Sequence, residues 1–303
     1  MDVELLAFDS MGVRSQATII YTPDVAIAID PAVALAPRRY SLPPHIREVK
    51  LMLNYSSIIE DKVKDVDIII ITHYHYDHHD PGRYVSLDVY RDKLLILKDP
   101  KNKINMSQRI RSSRFIKLVK DKVRELKIAD ANSFKIRNTE IVFSEPLPHG
   151  TDSRLGYVVS VVIKYRDEVF LFSSDVEGPA LPSQLSFIKS MKPNIAIIDG
   201  PLLYMLGYRY SEQTLTYAIE SLKELVKSWE LILILDHHFA RDLRCLEYIR
   251  LLNNEGRSTG SKVMTAAEFM KQEPTFLEAK RIELYKEDPT PGLELLSQRH
   301  YDI

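Results

Sequence analysis

The sequence predicts an α/β fold (α+β in some schemes) made of two packed β-sheets with helices on their outer faces. Three observations carry this. Strand-like runs of Ile, Leu and Val are numerous, and several are apolar on both faces. Each half of the chain shows the same plan, strands first and then strand–helix alternation, and two face-to-face sheets bury that many apolar strands. No Gly/Ser-rich linker, fixed-period repeat or low-complexity segment interrupts the 303 residues, so one domain over 1–303 is expected.

The first half opens with VELLAF (3–8), ATIIYT (17–22) and VAIAID (25–30), joined by short turns such as Pro23-Asp24, which reads as an antiparallel start. A helix follows from about Pro44 to Lys64. VDIIIIT (66–72) reads as a buried strand and LLILKD (94–99) as another. Residues 101–127 read as one basic helix, with ten Lys or Arg against Asp121 and Glu125. The second half begins with strands at 134–145, 156–165 and 168–173. Then come helix 183–191, strand 195–199, helix 212–228, strand 231–236 and helix 242–253. A short strand at 262–265 and a final helix from Ala266 complete the chain.

Composition is that of an ordinary soluble globular protein, with a formal net charge of -1. No global field favours nucleic acid or an anionic membrane. The single cysteine, Cys245, excludes a disulfide framework and a thiolate zinc knuckle, so any metal must be held by His and carboxylate. One free Cys fits a reducing, cytoplasmic compartment. The start, MDVELLAFDS, has no basic segment leading into an apolar run, and the apolar runs are too short to cross a bilayer, so no membrane partner is expected.

The informative stretch is ITHYHYDHHDP (71–81), which holds four of the nine histidines. In an extended segment residues i and i+2 point the same way, so His73 and His75 project together just past a buried strand. Asp77 and His78 follow as the chain turns. Imidazole with carboxylate suits zinc, manganese or iron. Further candidates also stand just past strand-like runs: His149 in EPLPHG, Asp175 after FLFSS, and His237 and His238 after LILILD. Asp30, in AIDP, joins the same edge. His79 and Asp80 are read as residues that support the ligands or as a helix start, not as ligands, His45 and His300 as surface residues, and Cys245 as a packing residue.

In this order the set resembles the five motifs of the metallo-β-lactamase superfamily: a strand-ending Asp, His-x-His-x-Asp-His, a His, an Asp and a last His. More narrowly, HYHYDHH preceded by IDPAVALAPRRYSLPP resembles an archaeal family of predicted hydrolases within it. The resemblance implies a four-layer αβ/βα sandwich of two mixed β-sheets with helices on the outer faces. It implies two divalent metal ions, zinc first, with manganese or iron as alternatives. His73, His75 and His149 would hold one; Asp77, His78 and His238 would hold the other; Asp175 would bridge them. His238 is chosen because His238-Phe239-Ala240-Arg241 is similar to the His-Phe-Ser segment of phosphodiesterase-type members, with His237 as the fallback. Asp30 would orient a ligand by hydrogen bond. Ser174 departs from the Gly that many members carry before the bridging Asp. The implied activity is hydrolysis by a hydroxide bridging the ions, with Asp77 accepting a proton.

The substrate, a small molecule or a nucleic acid, is open at this point. The HG…LGYVV run (149–159) is similar to phosphodiesterase and RNA-processing members and tilts the reading toward a phosphate ester. A lactone or thioester hydrolase of the same superfamily is the alternative, as is a metal-binding module without turnover. The Asp-His-His phosphoesterases are a further class, since that triplet occurs at 77–79 and 236–238, but no Asp-x-Asp element follows the first strand. Tyr204, Tyr208 and Arg209 are candidate substrate contacts, because Arg suits anionic groups. The basic 101–127 segment is either a solvated helix face or a clamp on a phosphate backbone.

Overall fold

The structure is a computed structural model that describes residues 1–298. Strands β1 (Asp2–Phe8), β2 (Gln16–Tyr21) and β3 (Ala26–Ile29) pair antiparallel, as the short turns imply. Helix α1 (Ile46–Val63) then crosses over to β4 (Ile68–Ile71), which runs parallel to β3. Next come β5 (Leu94–Leu97), α2 (Met106–Val119) and β6 (Glu125–Ile128), completing a six-stranded sheet in the order β1-β2-β3-β4-β5-β6. The second half repeats the plan. Strands β7 (Ser133–Ile136), β8 (Thr139–Phe143), β11 (Val161–Tyr165) and β12 (Glu168–Phe172) are antiparallel, with a small β9 (Leu147–Pro148)/β10 (Tyr157–Val158) ladder beside them. Helix α3 (Pro182–Met191), β13 (Ile195–Ile198), α4 (Glu212–Ser228), β14 (Ile232–Leu235), α5 (Cys245–Glu255) and β15 (Lys262–Met264) then alternate, their strands parallel. The seven-stranded sheet has the order β15-β14-β13-β12-β11-β8-β7. Short helices α6 (Ala266–Phe269), α7 (Arg281–Glu287) and α8 (Leu293–Gln298) close the chain.

Period-two patterning sorts the side chains into three layers of core. Ile68 and Ile70 of β4 face inward to meet Phe170, Phe172, Ile197 and Ile234 of the second sheet. Ile69 and Ile71 face outward onto Met52, Ile59, Val63 and Phe115 of α1 and α2. On the far side, Ala196, Ile198, Leu233 and Leu235 pack under Leu215, Leu222 and Leu252 of α4 and α5. Helix, sheet, sheet, helix is therefore the observed layering, the four-layer sandwich expected. Each fully buried Ile or Leu contributes about 1.5–3 kcal/mol.

Several expectations are corrected. The basic segment is not one helix: α2 ends at Val119, and 125–128 is an edge strand. The run 134–145 is a hairpin, because Arg137 turns with φ 53 between β7 and β8. The final helix is three short ones. His45 is not a surface residue but is fully buried. Its Nδ1 accepts from Arg47 N at the start of α1, its N–H donates to Glu48, and its Nε2 donates to the Asp288 carbonyl at 2.7 Å. His300 lies outside the described residues. Cys245 is buried at the first residue of α5, as a packing residue should be.

Candidate metal centre

Parallel strands bring their carboxyl ends to one edge, and the chemistry-bearing residues stand there. Asp30 follows β3, His73 follows β4, His149 follows β9, Asp175 follows β12 and His237 follows β14. Asp30, Ser174, Glu177 and His237 all take left-handed backbone, with φ 48, 57, 52 and 54. Non-glycine residues held there mark a place where side-chain direction overrides local comfort. At position 174 this backbone would suit a glycine. Ser174 accepts the conformation and lays its hydroxyl 2.6 Å from Thr72 Oγ1 and 3.3 Å from His73 Nδ1.

The predicted residues converge on Asp175. One group contains His73, His75, His149 and Asp175: His73 Nε2 is 3.4 Å and His149 Nε2 3.1 Å from Asp175 Oδ2, and His149 Nε2 is 3.2 Å from His75 Nδ1. The other carboxylate oxygen faces a second group. His78 Nε2 is 3.2 Å and His237 Nε2 3.5 Å from Asp175 Oδ1, and Asp77 lies 3.9 Å from His78 and 3.6 Å from His237. A tetrahedral ion with ligands at about 2.0–2.1 Å has edges of about 3.3–3.4 Å, so both groups fit a cation. Buried His73 Nε2 and His78 Nε2 have no hydrogen-bond partner among the described residues, which is costly unless a cation or water takes the lone pair.

Of the two adjacent histidines, it is His237 that shares a cluster with Asp77 and His78. His238 is turned toward Asp199, its Nδ1 2.9 Å from Oδ2, and its Nε2 stands 3.9 Å from Asp175 Oδ2, beside His149 and Glu177. His238 also stands in a candidate group with Asp175 and His237, so the two histidines sit side by side at the centre, and His237 is the one beside Asp77 and His78.

An outer ring orients these groups. Asp30 Oδ2 is 2.8 Å from His78 Nδ1 and also accepts from Thr72 Oγ1, while Asp30 Oδ1 accepts from Thr72 N. Sequence reasoning missed four members. Asp9 lies 2.7 Å from His237 Nδ1 and holds the Arg241 guanidinium at 2.8 Å. Gln16 Nε2 donates to Asp175 at 2.8 Å, Glu177 lies 3.4 Å from His149 Nδ1, and Asp199 holds His238. Asp9 and Asp199 end β1 and β13, the same strand-end signal that marks Asp30. Nothing in the sequence marks Gln16 or Glu177. His79 donates from Nδ1 to the His75 carbonyl at 2.9 Å, and Asp80 accepts from the backbone of Arg83, Tyr84 and Val85, with no helix starting there.

The fields follow from this packing. Burial alone would raise the Asp175 carboxyl, yet the surrounding His78, His237, His73 and His238 hold it well below its usual range. Asp77 is likewise lowered against burial by His78, His237 and Arg241. Burial lowers His73 to about 3, which keeps it a neutral donor. Burial would also lower His149, but Asp175 and Glu177 push it up to about 9.

The candidate substrate residues separate. Arg209 pairs with Glu177 and lines a cavity of about 180 Å³ with His149, Thr151, Asp152, Arg154 and Leu155. Tyr204 receives Arg39 on its ring at 4.6 Å, and its hydroxyl is 3.4 Å from Arg241. Tyr208 is 88 % exposed and lines none of the cavities found. No helix among the described residues is long and apolar enough to cross a membrane.

The chain is similar to known proteins at three levels. The family model described as the metallo-beta-lactamase superfamily matches residues 12–78. UPF0282 proteins of Saccharolobus solfataricus and Sulfolobus acidocaldarius are 46 % and 47 % identical over 293 residues, 96 % of this chain and 95 % of each relative. Among solved structures, a possible metal-dependent hydrolase from Veillonella parvula aligns with a TM-score of 0.51 at 15 % identity, covering 84 % of this chain and 94 % of its own. An isothiocyanate hydrolase from Delia radicum gut bacteria aligns at 0.50 and 16 %, covering 84 % and 95 %. At such identities these two show the shared fold.

Proposed function

Since the chain belongs to the UPF0282 family of the metallo-β-lactamase superfamily, we propose that it is a dinuclear metal-dependent hydrolase acting on a phosphate ester or phosphodiester. The observation that carries this reading is the pair of ligand sets around the two oxygens of Asp175, with edges of 3.1–3.9 Å. His73, His75, His149 and Asp175 hold one ion. Asp77, His78, His237 and Asp175 hold the other. Zinc suits the donor set best, and manganese or iron are accommodated by the same nitrogen and oxygen ligands.

Two bound divalent ions would lower the pKa of water toward about 7 and stabilise a developing oxyanion. The chain's own contribution is placement. Asp175 and Gln16 fix the centre, and Asp30 and Asp9 set the orientation of His78 and His237. Asp77, whose side chain is 15 % exposed against 1 % for Asp175, is the carboxylate open to a water proton. In the cavity that His149 lines each guanidinium is paired, Arg209 with Glu177 and Arg154 with Asp152, so the preference for a phosphate ester over a lactone or thioester rests on the likeness of the 149–159 run to phosphodiesterase members.

Elemental analysis of purified protein, run beside a panel of phosphodiesters, lactones and thioesters, tests the reading. About two metals per chain and turnover confined to phosphoesters are expected. Replacing His73 and His75 with Ala should remove the metal of their set and the activity. A metal-free double variant with full activity, or turnover of lactones alone, overturns the corresponding part.

A further inference from the structure

On the outer side of the His73–His79 segment lies a cavity of about 370 Å³ lined by Tyr76, His79, Pro81, Arg83, Arg111, Arg114, Lys117 and Leu118. Four of the eight lining residues are cationic, and the wall contains no carboxylate. Some surface cations elsewhere are paired, such as Arg47 with Glu287, Lys62 with Glu4 and Lys189 with Glu224, and others are not. Among the described residues, none of Arg83, Arg111, Arg114 and Lys117 forms an ion pair. The field here is uncompensated, and α2 supplies three of the four.

The cavity also has aromatic and polar character. The Arg83 and Arg111 guanidinium carbons lie 4.0 and 4.6 Å from the Tyr76 ring centroid, and Tyr76 stacks on His79 with centroids 5.4 Å apart. Guanidinium and aromatic planes together form the surface on which single-stranded bases stack while cations track the phosphates. His79 Nδ1 faces a carbonyl and is therefore the protonated nitrogen. Its buried Nε2 is an acceptor with no partner among the described residues. Tyr76 stands in the chain between His75 and Asp77, so whatever sits against it is one residue from the metal cluster.

We propose that this cationic cavity anchors the backbone phosphates of a single-stranded nucleic acid, with a base or sugar against the Tyr76–His79 wall. Its use in presenting a phosphodiester to the neighbouring centre rests on the function proposed above; the anchoring itself does not. A second set of exposed residues on α2, Met106, Ile110 and Leu118, makes an anionic lipid surface the rival occupant. The concave, mainly arginine wall favours the strand.

The test uses chelator-treated full-length protein and a short fluorescein-labelled single-stranded RNA, read by anisotropy over a salt series. Binding is expected, with log K falling by about 0.7 per log unit of salt for each phosphate neutralised. The double variant Arg114→Gln/Lys117→Gln changes exposed side chains only, so its melting temperature should be unchanged. It should bind roughly tenfold more weakly, with a slope shallower by about 1.4. Tyr76→Ala should weaken binding while leaving that slope intact. The proposal fails if no RNA binds, if the double variant binds like the parent, if tripolyphosphate competes as well as the oligonucleotide, or if phosphatidylglycerol vesicles outcompete it. Because metal is absent from this assay, retained RNA binding in a protein that proves to hold no metal would sink the hydrolase reading and leave the anchor standing.

Discussion

His237 and His238 offer a sharp test of the metal centre, because adjacent, identical side chains are predicted to behave differently. His237 Nε2 is 3.5 Å from Asp175 Oδ1 and 3.6 Å from Asp77 Oδ2, close to the edge of about 3.3–3.4 Å that a tetrahedral zinc site requires. His78 Nε2 is 3.2 Å from the same Asp175 oxygen, and Asp77, His78 and His237 form one three-residue group that Asp175 faces. Removing His237 leaves three ligands, one of them the oxygen shared through Asp175, and the metal content of His237→Ala should fall from about two to about one per chain. His238→Ala removes a side chain that lies outside that set and is tied to Asp199, so its content should stay near two. Elemental analysis after dialysis against a weak chelator separates the cases, with His73→Ala as a control for the other ion. If His238→Ala loses an ion and His237→Ala keeps both, the ligand assignment is wrong, and the sequence-level choice of His238 was right.

The surrounding shell gives three more outcomes. Asp9→Asn keeps the shape but removes the charge facing His237 Nδ1, so the affinity of the second site should drop 10–100-fold, about 1.4–2.8 kcal/mol, in a chromophoric-chelator competition; an unchanged affinity would show that Asp9 does not orient the ligand. Burial would raise Glu278, but the Arg14 guanidinium with Arg241 and Arg281 pulls it from 4.5 to about 2. Its folded value is thus the depressed one, and it contributes roughly 3 kcal/mol above pH 4.5 that is lost as pH falls toward 2. Urea midpoints across that window should fall for the parent, and fall less for Glu278→Gln. Phe172, fully buried between the sheets, should cost about 3–5 kcal/mol on truncation to Ala in denaturant unfolding; a loss under 1 kcal/mol would mean that the inter-sheet layer collapses to fill the gap.

The legible parts of this molecule are those written in local patterns. IIII at 68–71 is buried on both faces and followed at once by His73 and His75, so strand, edge and ligands are read together. The doubled plan of strands followed by strand–helix alternation correctly implied two sheets, because period and order survive without tertiary information. What was misread depends on contacts far along the chain. Arg124 to Lys127 look like the continuation of a basic helix, yet β5 offers a free edge and Leu94 and Leu97 pair with Glu125 and Ile128. His45 carries no sign that Asp288, 243 positions later, will accept its proton. No sequence pattern carries the backbone torsion, φ 54 at His237, that sends its side chain toward Asp77 while His238 turns to Asp199. Gln16 and Glu177 were invisible for the same reason: each is defined only by the ligand it touches.

The distribution of charge gives the two ligand sets a common logic. Asp9, Asp30, Asp77, Asp175, Glu177, Asp199 and Asp236 all lie in or against the cluster, and the described residues give them two permanent cations, Arg209 and Arg241. So much buried negative charge is untenable unless protons or metal ions balance it. Among the outer members, burial raises the carboxyls of Asp30, Asp199 and Asp236 above their usual range. The inner two, Asp77 and Asp175, are driven the other way and stay ionised, and they are the two whose oxygens face the ring of imidazole Nε2 atoms. A structural ion-pair network would spread its compensation evenly. Here the acids that burial raises stand outside and the two that their neighbours lower point inward at the imidazoles, an arrangement suited to bound cations, with His73 Nε2 buried and without a hydrogen-bond partner.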